Sequence, residues 1–211
     1  MFPSSLPIFP LPSVVLFPNV FLPLHIFEPR YRQMIAEALS GDRIIGMVLL
    51  KPGFEDDYEG RPPIYGTGCS GLITHVERME DGRYNLILRG LEKFIVHGEE
   101  DPIAGTQYRR ALVTTVDEMV PGSERDALKS ERQKLEALLT PLFDGALAEH
   151  RLPQSMPDED LVNALAQYLE FEPLEKLALL ERKGPLARCR SMVELLEMKA
   201  LMKHGDAGRV H

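Results

Sequence analysis

PLHIFEPRYRQMIAEAL, residues Pro23 to Leu39, decides how the chain is read. Its first part continues an extended apolar segment, Phe21 to Phe27, and the chain turns helical at Glu28-Pro29. Proline suits the first helical position, where a backbone N–H has no intrahelical acceptor to lose. Tyr31, Met34, Ile35, Ala38 and Leu39 then recur at the spacing of one helical face. Gly41 supplies a stop. The stretch is therefore a strand that delivers the chain into a short amphipathic helix, with Glu28 placed to cap it and one face committed to packing.

Working outward, the first 120 residues read as β-rich. Leu6 to Pro23 mixes apolar residues with prolines, which predicts an extended segment at a sheet edge. Arg43 to Leu50 is a short apolar run ended by Pro52-Gly53 and predicts a buried strand. Lys51 to Pro63 is acidic and rich in Gly and Pro, with Glu55, Asp56, Asp57 and Glu59 together; it predicts a surface loop and is the chain's best candidate for disorder. Tyr65 to Arg78 and Tyr84 to His97 flank Asp81-Gly82, a strong hairpin signal. Gly90 predicts a bend that lets one long strand serve two parts of a barrel. Tyr108 to Val116 adds a further strand, and about six strands with one inserted helix predict a small, strongly bent barrel.

After Pro121-Gly122 the apolar period lengthens from two to about 3.6. Leu128, Leu135, Leu138, Leu139, Leu142 and Leu147 form one helical face, with Ser123 and Asp126 as a capping pair and Pro141 as a kink. A second helix runs from Asp158 to Leu169, with Leu161, Val162, Leu165, Tyr168 and Leu169 inward. A third opens at Pro173 and a fourth at Pro185; the fourth is closed by Lys203, His204 and Gly205 and has Met192, Leu195 and Met202 as a second apolar stripe.

Net charge is −8 and the acid excess is evenly spread, which disfavours a protein that grips phosphate backbones. Nucleic acid is thus not the expected partner. No apolar run approaches the roughly 20 residues of a membrane span. The N-terminus has no basic region before its prolines, and the two cysteines stand far apart, which together predict a cytoplasmic protein without a disulfide framework.

The motifs that carry chemistry are few. Gly66 to Gly71 matches G-x-G-x-x-G, but a strand-like run follows it where a dinucleotide site needs a helix. Small residues at a tightly curled strand account for it better. There is no phosphate-binding loop with a terminal Lys-Ser or Lys-Thr and no H-E-x-x-H. His25 and Glu28 form a His-x-x-Glu pair at the strand-to-helix junction, and structural roles outweigh a base or metal ligand for both. Cys69 and Ser70 lack the context of a nucleophile. No cofactor and no catalytic residue are expected.

Three blocks carry a family resemblance: LPIFPLPSVVLFPNVFLPLHIFEPRYRQMI, YGTGCSGLITHVERMEDGRYNLILRGLEKFIV and MPDEDLVNALAQYLEFEPLEKLALLE. Through them the chain resembles the N-terminal, substrate-binding domain of Lon proteases along essentially its whole length. The resemblance implies an α+β fold, a PUA-like bent β-barrel over residues 1–120 followed by a C-terminal helical subdomain over 121–211. It implies a non-catalytic module that binds unfolded or tagged polypeptides and works with a separate ATP-dependent protease. Lon proteases continue into ATPase and Ser-Lys protease modules; neither has a counterpart in this sequence, so no peptidase residue carries over and a free-standing domain is expected. The residues expected to line the binding groove are Leu24, His25, Phe27, Arg30 and Tyr31, with Phe27 and Tyr31 also readable as core.

Overall fold

The computed structural model describes residues 2–54, 58, 60–140 and 156–207. Among these residues, six strands and five α-helices follow in the order β1 (Ser5–Leu11), β2 (Phe21–Ile26), α1 (Pro29–Ser40), β3 (Ile44–Leu50), β4 (Ile64–Arg78), β5 (Tyr84–Glu99), β6 (Arg109–Val116), α2 (Arg125–Leu139), α3 (Asp158–Tyr168), α4 (Pro173–Glu181) and α5 (Gly184–Ala207). The class is α+β. Glu55, Asp56, Asp57 and Glu59 of the loop expected to be disordered, the kink at Pro141 and the apolar positions Leu142 and Leu147 fall outside the described residues; so do the side chains of Lys203 and His204. The chain divides into two compact units, one of residues 1–117 with 167–181, the other of 118–166 with 182–211.

In the first unit the strands run β2-β5-β4-β3-β1-β6, and β6 also pairs with β5, closing five of the six into a barrel. The closure depends on β5 serving two partners. Tyr84 to Arg89 pairs with β2, and Lys93 to Glu99 pairs with β6. Gly90 lies between the two halves, where a Cβ would stand 2.0 Å from the Phe17 carbonyl oxygen. Its N–H donates to Val20 O at 2.8 Å and its carbonyl accepts from Asn19 N–H at 3.0 Å, so the loop before β2 is sewn to the bend. The expected role of Gly90 is the observed one.

The Asp81-Gly82 hairpin also forms, with Gly82 at φ +81° and Asp81 accepting from Arg83 N–H. Along β4, Gly68 packs where a Cβ would lie 2.5 Å from Met47 O and from the Phe94 ring. The glycine-rich motif is thus a packing device on a strand. Leu6, Ile8, Val48, Phe94, Ala111 and Val113 form a buried core cluster inside the barrel.

β1 departs from expectation, because it lies between β3 and β6 instead of at an edge. Two half-ladders reconcile this with its prolines. Ser5 to Ile8 pairs with β6, and Ile8 to Leu11 pairs with β3. Pro7 and Pro10 each fall in a half with a ladder on one side only, so neither has to donate to both neighbours. The edge strand is β2, whose one strand neighbour among the described residues is β5.

α1 packs Tyr31, Met34 and Ile35 inward as its periodicity requires, and the Tyr31 ring meets Phe9 of β1 at 4.3 Å between centroids. Glu28 sits at the N-cap position but makes no side-chain cap. Its carboxylate is instead held by the charged donor of Arg30 and by the Tyr58 hydroxyl. In the same unit Gln167 accepts from Phe17 N–H at 3.2 Å, and α4 lies on β4.

In the second unit α2 packs on α5 and buries Leu128, Leu135 and Leu139. A short 3₁₀ turn at Gly122–Glu124 precedes α2, and the expected Ser123–Asp126 cap does not form: Glu124 occupies the N-cap position without a side-chain bond. Tyr168, expected inward, is exposed, and Ala166 is buried in its place. On α5, Met192 is buried and Met202 exposed, and the helix runs past Gly205 to Ala207. Arg188 is wholly buried: its guanidinium donates to Asn163 Oδ1 and, at 2.8 and 2.9 Å, to both carboxylate oxygens of Glu118.

Candidate functional site

The five expected groove residues separate into two sets: Leu24, His25 and Phe27 on or just after β2, and Arg30 and Tyr31 in the first turn of α1. Alternation along β2 turns Leu22, Leu24 and Ile26 toward the unit and Phe21, Pro23 and His25 outward. Phe21 and Phe27 are 52% and 59% exposed. Phe27 stacks on His25, with centroids 6.2 Å apart and planes 28° from parallel. Leu24, His25 and Phe27 thus share the β2 edge with Phe21, an exposed aromatic that periodicity alone did not mark, because an outward residue on an edge strand looks like any strand residue.

His25 is fixed by its neighbours. Its Nδ1 lies 2.7 Å from Asn85 Oδ1, and Arg83 Nη1 lies 3.4 Å from its Nε2. Asn85 Oδ1 only accepts and Arg83 only donates, so the arrangement uses the tautomer with its proton on Nδ1. Asn85 Nδ2 in turn donates to Glu77 at 3.2 Å. His25 and Glu28 therefore engage separate partners and form no joint site. At the other end of β2 the Tyr168 hydroxyl donates to Phe21 O at 2.6 Å, leaving Pro23 to Ile26 as the open part of the edge.

Arg30 and Tyr31 belong to the second set. The Arg30 guanidinium bonds Glu28 and Tyr58 O and lies 4.6 and 4.8 Å from the rings of Tyr31 and Tyr58. Tyr31 is only 4% exposed, and burial pushes its hydroxyl well above the ordinary range, with the Arg30 charge opposing. Tyr58 rises as well, through burial and then the negative charge on Glu28. Both hydroxyls stay protonated at neutral pH. Arg30 and Tyr31 face a cavity of about 210 Å³ that is also lined by Arg61, Tyr108, Arg109 and Arg110. Its arginines are already engaged: Arg109 makes a two-pronged pair with Glu99, Arg61 reaches the same carboxylate at 3.0 Å, and Arg110 pairs with Glu100. Burial alone would raise the Glu99 carboxyl, but the bonds from Arg109 and Arg61 outweigh it and hold it below the usual range. This is a cross-linked wall, with its charges spent on one another.

A larger cavity of about 620 Å³ lies elsewhere in the unit, against Leu49, Leu50, Phe54, Tyr58 and Leu174. No local pattern signals it, since its walls come from parts of the chain as far apart as Pro12 and Leu174.

The family model of the ATP-dependent protease La (LON) substrate-binding domain matches residues 5–198. Lon protease 2 of Myxococcus xanthus is 28% identical over 201 residues, covering 93% of this chain and 24% of that protein. The Lon protease of Parabacteroides distasonis is 32% identical over 168 residues, covering 75% and 18%. The chain thus spans about a quarter, or less, of the length of these curated relatives. A solved Lon N-terminal domain protein from Xanthomonas campestris superposes with a TM-score of 0.61 at 25% identity, over 90% of this chain and 98% of that one. The N-terminal domain of a Mycobacterium avium complex Lon protease gives 0.66 at 16% identity over 92% and 98%, a likeness of fold. With the barrel, the inserted helix and the β2 edge in place, the chain belongs to the Lon protease substrate-binding domain family.

Proposed function

We propose that the chain is a non-catalytic polypeptide-binding module that engages unfolded or tagged segments along the β2 edge and, in the cytoplasm, hands them as an adaptor to a separate ATP-dependent protease. The observation that carries this reading is the β2 edge itself: a strand with one partner, an outward row of Phe21, Pro23 and His25, and Phe27 at its end. An extended segment adds to such an edge through main-chain hydrogen bonds, and aromatic side chains contribute the apolar contact. His25 and Phe27 make the side-chain contact together with Phe21, and Leu24 contributes its main chain; Arg30 and Tyr31 hold the junction in shape behind them.

The test is a fluorescence-anisotropy titration of labelled, reduced and carboxymethylated lactalbumin, which is permanently unfolded. Binding in the micromolar range, weakened about tenfold or more by the double change Phe21→Ser and Phe27→Ser at unaltered melting temperature, is the expected result. Absence of binding up to about 1 mM, where association supplies only about 4 kcal/mol, overturns the reading. The adaptor step is tested by whether the chain accelerates degradation of the same probe by an ATP-dependent protease.

A further inference from the structure

We infer that the 620 Å³ cavity is a side-chain-accepting subsite for an uncharged, aromatic-bearing segment of the bound polypeptide, an inference that rests on the polypeptide-binding reading above. Its volume falls within the roughly 300–1,000 Å³ of ligand sites, and its walls are chemically selective. Pro12, Pro52, Pro62 and Pro173 line it together with Leu49, Leu50, Phe54 and Leu174. Prolines contribute no backbone N–H, so this surface does not add a strand; it takes side chains. Prolines also lose no side-chain rotamers on contact, which lowers the entropic cost of binding.

Local backbone geometry builds the floor. Consecutive residues of a regular strand face opposite ways, yet Leu49 and Leu50 both line the cavity. The β3–β4 register slips between Val48 and Leu50, where Leu50 pairs with Ile64. The extra residues of the slip lie on β4, where Tyr65, Gly66 and Thr67 stand opposite Leu49, and both leucines at the end of β3 border the hollow.

Charge selects the occupant. Among the described residues, the charged ones lining it are Lys51 and Glu172, of opposite sign, and Lys51 Nζ already lies 5.8 Å from the centroid of the Tyr65 ring. Neither a strongly acidic nor a strongly basic segment finds a net counter-charge there, whereas a neutral apolar one loses nothing. Tyr58 connects the cavity to the β2 edge. It lines the hollow, donates its hydroxyl to Glu28 at 3.1 Å, and Glu28 directly follows Phe27 in the chain. Tyr58 thus ties the cavity wall to the residue that follows Phe27.

Two synthetic probes test this: a fluorescein-labelled Gly-Ser chain with a central Phe-Leu-Phe, and the same chain with serine at those three positions. Leu174→Glu and Phe54→Ser alter half-exposed residues, and melting temperatures check that both variants fold. The expected result is binding of the Phe-Leu-Phe peptide only, about tenfold weaker binding by each variant, and movement of the Leu49 and Leu50 methyl NMR signals in the wild-type protein. If Leu174→Glu does not fold, Phe54→Ser and the methyl signals decide. Equal affinity in wild type and variants with unmoved methyls overturns the subsite and leaves the β2 reading standing. Failure of this peptide while unfolded lactalbumin binds does the same. Failure of both probes overturns the two together.

Discussion

Gly90 and Gly98 lie on one strand eight residues apart and respond oppositely to a methyl group. A Cβ at Gly90 meets the Phe17 carbonyl, and one at Gly98 meets nothing within 4 Å. Gly90→Ala should cost about 1–3 kcal/mol, and Gly98→Ala should leave stability unchanged or raise it by up to about 1 kcal/mol; urea denaturation of the pair measures both. Arg188 makes a second residue-scale case. Truncating Glu118 leaves the buried guanidinium without its carboxylate, a loss of about 3–5 kcal/mol, whereas replacing both, Arg188→Met with Glu118→Leu, should be milder than Glu118→Ala alone. A Glu118→Ala protein as stable as wild type would contradict this. Glu99 supplies the pH dependence. Its carboxyl is held below an ordinary value of 4.5, so its contribution is fully present above about pH 4.5 and disappears as pH falls through the lowered folded value. Glu99→Gln should therefore flatten the acid limb of a stability-against-pH curve below about pH 4.5; an unchanged limb would show that Glu99 adds nothing there. Residue roles were only partly legible in advance. Gly90 was, because a glycine amid a long β pattern has few other uses, but Glu28 was not: a helix-start carboxylate caps its own helix unless a stronger donor stands nearby, and Arg30 and Tyr58 are such donors.

At the scale of elements, a period of two or 3.6 marked the strands and helices that bury one face, and a continuous apolar run marked β3, which buries both. α1 is the clearest instance: Tyr31, Met34 and Ile35 are the buried residues its spacing demands. Met34→Ala should accordingly cost about 2–5 kcal/mol, read by thermal or urea unfolding, while Glu37→Ala on the exposed side should cost well under 1 kcal/mol. Edge and interior were harder to separate. Prolines argued for β1 as the edge, but β1 splits its pairing into halves and tolerates them inside the sheet. That left β2 as the open strand, a placement set by the long-range partnering of β5 that no local pattern records. Phe27 shows the same limit, since an aromatic after an apolar run looks like core and is exposed only because the strand ends there.

At the scale of the molecule, the change of period near residue 120 marks where strands give way to helices, but it does not say which unit each helix joins. Residues 167–181 are helical by pattern and belong with the barrel, where Gln167 and Tyr168 bond Phe17 and Phe21. The large cavity escaped the sequence for the same reason, since Pro12, Leu50, Pro62 and Leu174 meet only in the fold. The central claim is that extended polypeptide adds to the β2 edge. Its most direct measurement is an amide NMR titration of the isotope-labelled protein with the Phe-Leu-Phe peptide. Strand addition predicts progressive shifts of the Leu24, His25, Ile26 and Phe27 amides, with slowed hydrogen exchange along the open part of β2 at saturation. Saturable binding that leaves those amides unmoved would contradict it.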